Sequence, residues 1–121
     1  MSRIQELNKV LRGLQSGTPE LEAAAVISED GLLIASALPE HIDEGRVAGM
    51  SAVLLSLGTR AAVELGRGEP EQVLIKGTQG YVCMNHVTGG ALLLVLTTET
   101  AKLGLIFLEV KRASQALAKL L

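Results

Sequence analysis

The sequence predicts an α/β domain of the α+β type, in which three helices cover a mainly antiparallel sheet of five short strands. Three segments place apolar residues three and four positions apart, which is the spacing of amphipathic helices. Five short runs rich in Val, Ile, Leu and Ala are separated by Gly, Pro and Asp turn signals. Their order is α-β-β-α-β-β-β-α, and the length of 121 residues predicts one domain over residues 1–121.

The first helix and the first hairpin are predicted from capping and turn residues. Ser2 can cap a helix that runs to about Gln15 and places four apolar residues on one face: Ile4, Leu7, Leu11 and Leu14. A buried strand over 21–28 and a partner strand over 32–38 flank Glu29-Asp30-Gly31. Asp and Gly at these positions are typical of a tight turn, because Gly accepts a positive φ.

The second half of the chain begins with a long helix and ends with another. Asp43 can cap a helix over 44–65, with Gly66 as its stop. Strands over 73–76, 81–87 and 91–96 follow, joined by Gly-containing turns. Thr97 or Thr98 can cap the last helix, whose predicted apolar face is Leu103, Ile106, Phe107, Val110, Ala113, Leu117 and Leu121.

The composition excludes several classes of protein. Apolar residues make up 48% of the chain but only Tyr81 and Phe107 are aromatic, so the core must be aliphatic. A net charge of -2, with no run of Lys or Arg, argues against nucleic acid as a partner. The lone Cys83 excludes an internal disulfide or a multi-cysteine metal site. No signal-peptide core and no apolar stretch of about 20 residues are evident, so we expect a cytoplasmic protein without membrane insertion.

The second helix is predicted to be covered on two sides. One side is an ordinary apolar face, assigned to the core: Val47, Met50, Leu54, Leu57, Ala61 and Leu65. The opposite side is small and uncharged: Gly45, Ala48, Gly49, Ala52, Ser56, Thr59 and Val63. We assign all of these except Thr59 to a dimer interface. The alternative is that other parts of the same chain cover the small side.

No pattern in the sequence indicates catalysis. There is no P-loop motif, and the Gly-rich stretch over 66–70 is interpreted as a connector, since Glu69 would repel phosphate. His41 and His86 belong to no ligand pair, although a metal or general-base role stays open for each. Cys83 is interpreted as a small buried residue. We therefore expect no catalytic residue, no metal ion and no cofactor.

Four segments in this order resemble the roadblock/dynein light-chain family. They are the hairpin AVISEDGLLIAS over 25–36, the helix over 51–65, the strands QVLI and GY over 72–75 and 80–81, and the helix with LGLI, Glu109 and KRA over 103–113. The resemblance implies a five-stranded antiparallel sheet with one helix on one face and two on the other. It also implies dimers joined through the central helix and third strand. The chain looks similar to the bacterial gliding-motility regulators, which bind a Ras-like GTPase and promote its hydrolysis without supplying catalytic groups.

Two classes of function follow from the resemblance and the helix faces. The first is a homodimeric, non-enzymatic regulator of a Ras-like small GTPase, which would dock on Leu55, Thr59, Ala62, Arg46 and Arg60. An arginine supplied to the GTPase is a sub-hypothesis, with Arg46, Arg60 and Arg67 as candidates, although surface solubility explains all three. The second is a structural adaptor without effect on hydrolysis. A small-ligand sensor is a third possibility, which the aliphatic core supports little.

Overall fold

The computed structural model describes residues 1–121 and contains three helices and five strands. The helices are α1 (Arg3–Gly17), α2 (Glu44–Glu64) and α3 (Leu103–Ala118). The strands are β1 (Leu21–Ser28), β2 (Leu33–Ala37), β3 (Gln72–Gly77), β4 (Gly80–Val87) and β5 (Ala91–Thr97). The predicted order of elements is confirmed, and the predicted strand bounds differ from these by one residue at most.

All five strands form one antiparallel sheet with the order β2-β1-β5-β4-β3. The first and last strands of the chain, β1 and β5, therefore pair with each other inside the sheet, and β2 and β3 are its two edges. The hairpin turn between β1 and β2 contains Gly31 with a φ of 86°, as the sequence predicts for this turn.

The helices lie in two layers, one on each face of the sheet. A larger core joins α1 and α3 to one face, with Leu7, Leu11, Ile106, Val110 and Leu117 fully buried. A smaller core lies under α2 on the other face and is formed mainly by strand residues. The predicted arrangement of one helix on one face and two on the other is confirmed.

The helix ends follow local capping chemistry, with one correction. Ser2 and Gln5 form a reciprocal capping box at the start of α1, and Asp43 accepts a hydrogen bond from the backbone N–H of Arg46 at the start of α2. The prediction that Thr97 or Thr98 caps the last helix is wrong. Thr97 is the last residue of β5, and α3 begins after Lys102, which makes no side-chain capping hydrogen bond.

Candidate protein interface

The two sides of α2 are oriented differently from the prediction. Ala48 and Ser51 are the buried residues of α2, so only part of the small side faces the sheet. The other predicted members of that side are exposed or half-buried, and Val63 is 51% exposed. Met50, Leu57 and Leu65, which were assigned to the core, are 55%, 59% and 71% exposed. Val47 and Leu54 are half-buried and do pack against the smaller core. The assignment to the core is therefore correct for Val47 and Leu54 and wrong for the other four residues of that side.

Close approach within the chain explains why small residues face inward. A Cβ added at Gly31 in the β1–β2 turn would lie 3.4 Å from Cβ of Ala52 and 3.7 Å from the carbonyl oxygen of Ala48. A Cβ added at Gly58 would lie 3.1 Å from Cγ2 of Val73 on β3. Small side chains let α2 lie against the turn and the edge strand, and larger ones would force it outward. The alternative in which the same chain covers the small side is correct for Ala48 and Ala52.

The outer side of α2 presents an exposed apolar strip, which we call the α2 strip: Met50, Val53 and Leu57. Their exposed fractions are 55%, 59% and 59%. At 100° per residue the three lie on the side opposite Ala48 and Ser51. Large apolar side chains clustered in this way are typical of an interaction surface, since scattered ones need no explanation but a continuous strip does.

By length and composition alone α2 is long and apolar enough to cross a membrane, which corrects the expectation that no stretch of the chain approaches that length. This is weak evidence for a span, because interface and core helices of soluble proteins have the same composition.

The edge strand β3 adds a second exposed surface. Its outer side has no partner strand, and every residue except Val73 is exposed. Leu74 and Ile75 are each 40% exposed. Ile75 pairs with Val82, which packs in the core under α2, so Ile75 lies on the same face of the sheet as the α2 strip. An exposed apolar edge strand is a template for pairing with another strand.

A groove with a volume of about 520 Å³ runs along one flank of α2, between the α2 strip and the side that faces the sheet. The helix contributes Ala52, Leu55, Ser56, Thr59, Arg60 and Val63, and the opposite wall consists of Glu29, Glu69, Pro70 and His86. Nε2 of His86 lies 3.4 Å from Oε1 of Glu29 on that wall. Nε of Arg60 lies 3.0 Å from Oε1 of Glu64 on the helix. Both contacts are exposed, so they add little to stability and mainly give the rim its polarity.

The groove brings together most of the predicted site residues on one flank. Among the predicted partner-binding residues, Leu55, Thr59 and Arg60 line it, Ala62 is half-buried and Arg46 is exposed near the helix start. Among the predicted dimer residues, Ala52, Ser56 and Val63 line it, and Gly45 and Gly49 are exposed. Ala48 is 1% exposed, which places it beneath the helix. The roles of these residues in binding stay predictions.

The remaining candidates for chemistry are separated in space or buried. Cys83 is fully buried in the core beside α1 and α3, and this burial raises the pKa of its thiol from 9.0 to about 11. Its interpretation as a buried apolar residue is confirmed. His86 meets Glu29, a contact that the sequence did not suggest because the two residues belong to different hairpins. No three His, Cys, Asp or Glu side chains lie close enough together to hold a metal ion.

Sequence reasoning missed Val53, and it placed Met50 and Leu57 on the wrong side. The signal that could have corrected this is Gly58, which marks where α2 approaches another element closely. It also missed Glu29, Pro70 and His86 as the opposite wall of the groove. These three come from separate connections and one strand, and only the sheet order brings them together.

Comparison with known proteins identifies the class to which this fold belongs. The Roadblock/LC7 domain family model matches residues 7–97, and the chain belongs to that family. Among curated proteins it is similar to the uncharacterized protein MJ1340 of Methanocaldococcus jannaschii, at 36% identity over 109 residues, which covers 90% of this chain and 94% of that one.

Two solved structures show how closely the fold is shared. The chain is similar to Myxococcus xanthus MglB, with a TM-score of 0.90 and 24% identity, covering 98% of this chain and 90% of that one. It is also similar to the gliding protein MglB from Thermus thermophilus, with a TM-score of 0.87 and 23% identity, covering 99% of this chain and 91% of that one. At this identity the two structures establish the shared fold.

Proposed function

We propose that this protein is a homodimeric, non-enzymatic regulator that binds a Ras-like small GTPase and changes its rate of GTP hydrolysis or its nucleotide state. The observation that carries the proposal is the α2 strip, because Met50, Val53 and Leu57 are more than half exposed on a helix with few buried residues of its own. Membership of the Roadblock/LC7 family and the fold shared with MglB support the choice of partner.

Self-association would use the two exposed apolar surfaces on one side of the molecule. The α2 strip and Ile75 lie on the same face of the sheet, and the β3 edge lies beside them. Two β3 edges pairing about a two-fold axis perpendicular to the sheet would continue the sheet across both chains. This arrangement would place both α2 helices on one face, where each strip could be covered by its symmetry mate.

The GTPase would dock on the flank of α2 that carries the groove. Leu55, Thr59 and Val63 form a small, uncharged floor, and Arg60, Glu69 and His86 form a polar rim. A low-charge centre inside a polar rim is the usual anatomy of a protein interface. Docking there would favour ordered switch loops of the GTPase, which exist in the GTP state, and would thereby shift an order–disorder equilibrium.

The self-association step is tested by sedimentation of the wild type and of Leu57→Arg. We expect a dimer at tens of micromolar for the wild type and a monomer for the variant, since an arginine would be desolvated in the paired strips. Ala52→Arg is not a clean test, because Ala52 contacts the β1–β2 turn of its own chain. A wild type that stays monomeric without a partner would exclude the homodimer.

The regulator function is tested by calorimetric titration with a purified Ras-like small GTPase, loaded with a GTP analogue or with GDP. We expect tighter binding to the GTP form, weakened by Thr59→Arg in the groove and unchanged by Thr100→Arg, an exposed site in the β5–α3 connection. Single-turnover hydrolysis with and without this protein reports the effect on rate. Equal affinity for both nucleotide states would remove the regulator function and leave the structural adaptor, because a ligand without differential affinity shifts no equilibrium.

A further inference from the structure

Positive charge is concentrated on the helical layer opposite α2. The helices α1 and α3, with their capping residues, hold seven of the eleven basic residues but only two of the thirteen acidic ones. All seven basic side chains are exposed: Arg3, Lys9, Arg12, Lys102, Lys111, Arg112 and Lys119. The two acidic residues, Glu6 and Glu109, are each partly buried, and Glu109 is paired with Arg112 at 3.2 Å.

The rest of the chain has the opposite balance, with four basic and eleven acidic residues. The net charge of -2 is therefore the sum of a basic layer on one face of the sheet and an acidic remainder of the chain. Three of those carboxylates, Glu20, Glu22 and Glu99, lie at the end of the sheet where α3 begins, so the layer is most basic toward the C-terminal half of α3.

Exposed apolar residues interrupt this basic surface in a regular pattern. Leu105 and Leu108 on α3 are 46% and 44% exposed. They share a helical strip with Arg112 and Lys119, because positions 105, 108, 112 and 119 recur at the three- and four-residue spacing of one side of a helix. This outer strip of α3 lies opposite the buried residues that hold the helix to the sheet.

We propose that the outer face of α1 and α3 is a docking surface for an anionic lipid bilayer. The cations would lie at the headgroups, and Leu105 and Leu108 would enter the boundary between headgroups and acyl chains, without any segment crossing the membrane. A phosphate backbone would account for the cations but would leave the leucines in water. The acidic connections and strand ends of the molecule would be repelled from the lipid, which would leave α2 free on the opposite face of the sheet.

The test is co-sedimentation of the full chain with vesicles of pure phosphatidylcholine or of phosphatidylcholine with about one-third phosphatidylglycerol. We expect binding to the anionic vesicles only, weakened severalfold in about 0.5 M salt. Removing one surface cation is expected to lower the partition coefficient about fivefold, so that Arg112→Gln with Lys119→Gln would lower it about 25-fold. Leu105→Ser with Leu108→Ser should reduce binding at unchanged charge.

The matched control is Arg46→Gln with Arg67→Gln, which removes the same charge from exposed positions outside the layer. It should leave vesicle binding within twofold of the wild type, and circular dichroism would show that all variants keep the helical signal. Equal sedimentation with neutral and anionic vesicles would overturn the proposal. So would equal weakening by the control pair, or binding of a duplex DNA oligonucleotide without binding of vesicles.

Discussion

The two faces of the sheet are covered in very different ways. On the α1/α3 side, sixteen buried residues form the core, and both helices contribute rows of fully buried side chains. On the α2 side the buried cluster has six residues, and the helix contributes only Ala48 to it. The longest helix of the molecule is thus held to the sheet by Ala48 and by the half-buried Val47, Leu54 and Leu55. Its other large apolar side chains are left outside.

This difference shows which layer maintains the fold and which is available for partners. Burial of Leu and Val side chains against the sheet stabilises the α1/α3 layer without help from another molecule. α2 contains Gly49 and Gly58 in its interior, each of which costs about 1 kcal/mol of helix stability relative to Ala. A helix with this composition and an exposed apolar strip gains stability when a second surface covers it.

The largest expected effect separates the two layers by stability. Leu11→Ala in α1, where the side chain is fully buried, should lower the free energy of unfolding by about 2–5 kcal/mol at any protein concentration. Leu57→Ala in the α2 strip should cost less than about 0.5 kcal/mol in dilute solution, where an exposed side chain is lost from a monomer. At high concentration its cost should rise, because dimerisation stabilises the wild type by mass action.

Urea denaturation at two widely separated protein concentrations checks this pair. If the cost of Leu57→Ala stays the same at both concentrations, the α2 strip contributes nothing to self-association. If Leu11→Ala proves as mild as Leu57→Ala, the distinction between a self-sufficient layer and an open one fails.

The success of the sequence-based fold and the error at α2 have one physical explanation. α1 and α3 carry rows of Leu and Val on a single side, so their buried faces follow directly from periodicity, and Leu7, Leu11 and Val110 are buried as predicted. In α2, apolar residues occur on both sides, and periodicity alone does not decide which side faces inward. The approach of the helix to the β1–β2 turn and to Val73 on β3 decides it, and both of these partners lie outside the helix.

The candidate site was predictable only in part for a related reason. The groove flank of α2 was found because its helix residues share one side at regular spacing. Its opposite wall, from Glu29 to His86, depends on how distant segments meet at one end of the sheet, which no local pattern records. The charge segregation between the layers also becomes visible only when α1 and α3, at opposite ends of the chain, are placed side by side.

A smaller effect on stability is expected from pH, and it reports on the packing of the α1/α3 layer. Burial raises the pKa of Cys83 in the α1/α3 core from 9.0 to about 11, so the folded protein keeps the thiol protonated where the unfolded chain loses the proton. The stability that this residue supplies is complete below pH 9. It should fall by up to about 1.4 kcal/mol per pH unit between pH 9 and 11.

Comparison of the wild type with Cys83→Ala across this pH range isolates the contribution of the thiol. The wild type should lose stability more steeply above pH 9, and its thiol should react with iodoacetamide only on the timescale of unfolding. Rapid labelling of the native protein at pH 8 would mean that the α1/α3 core opens more readily than its packing indicates.

The smallest expected effects concern Gly31, which lies against the covered side of α2, and Gly49, which lies on the open side of that helix. Gly31→Ala should lower the free energy of unfolding by about 1–2 kcal/mol, because its φ of 86° lies in the left-handed region and the added Cβ would meet Ala52. Gly49→Ala should instead raise it by about 0.5–1 kcal/mol in dilute solution, because no other part of the chain lies within 4 Å of the added Cβ and Ala favours the helix. Sedimentation of Gly49→Ala then distinguishes an effect on the stability of the monomer from an effect on dimerisation. A weaker dimer would place Gly49 in the interface, as the sequence predicts, and an unchanged dimer would confine the contact to the α2 strip and β3. Loss of stability in Gly49→Ala at every concentration would show that this side of α2 is covered within the chain, and the open face would have to be abandoned.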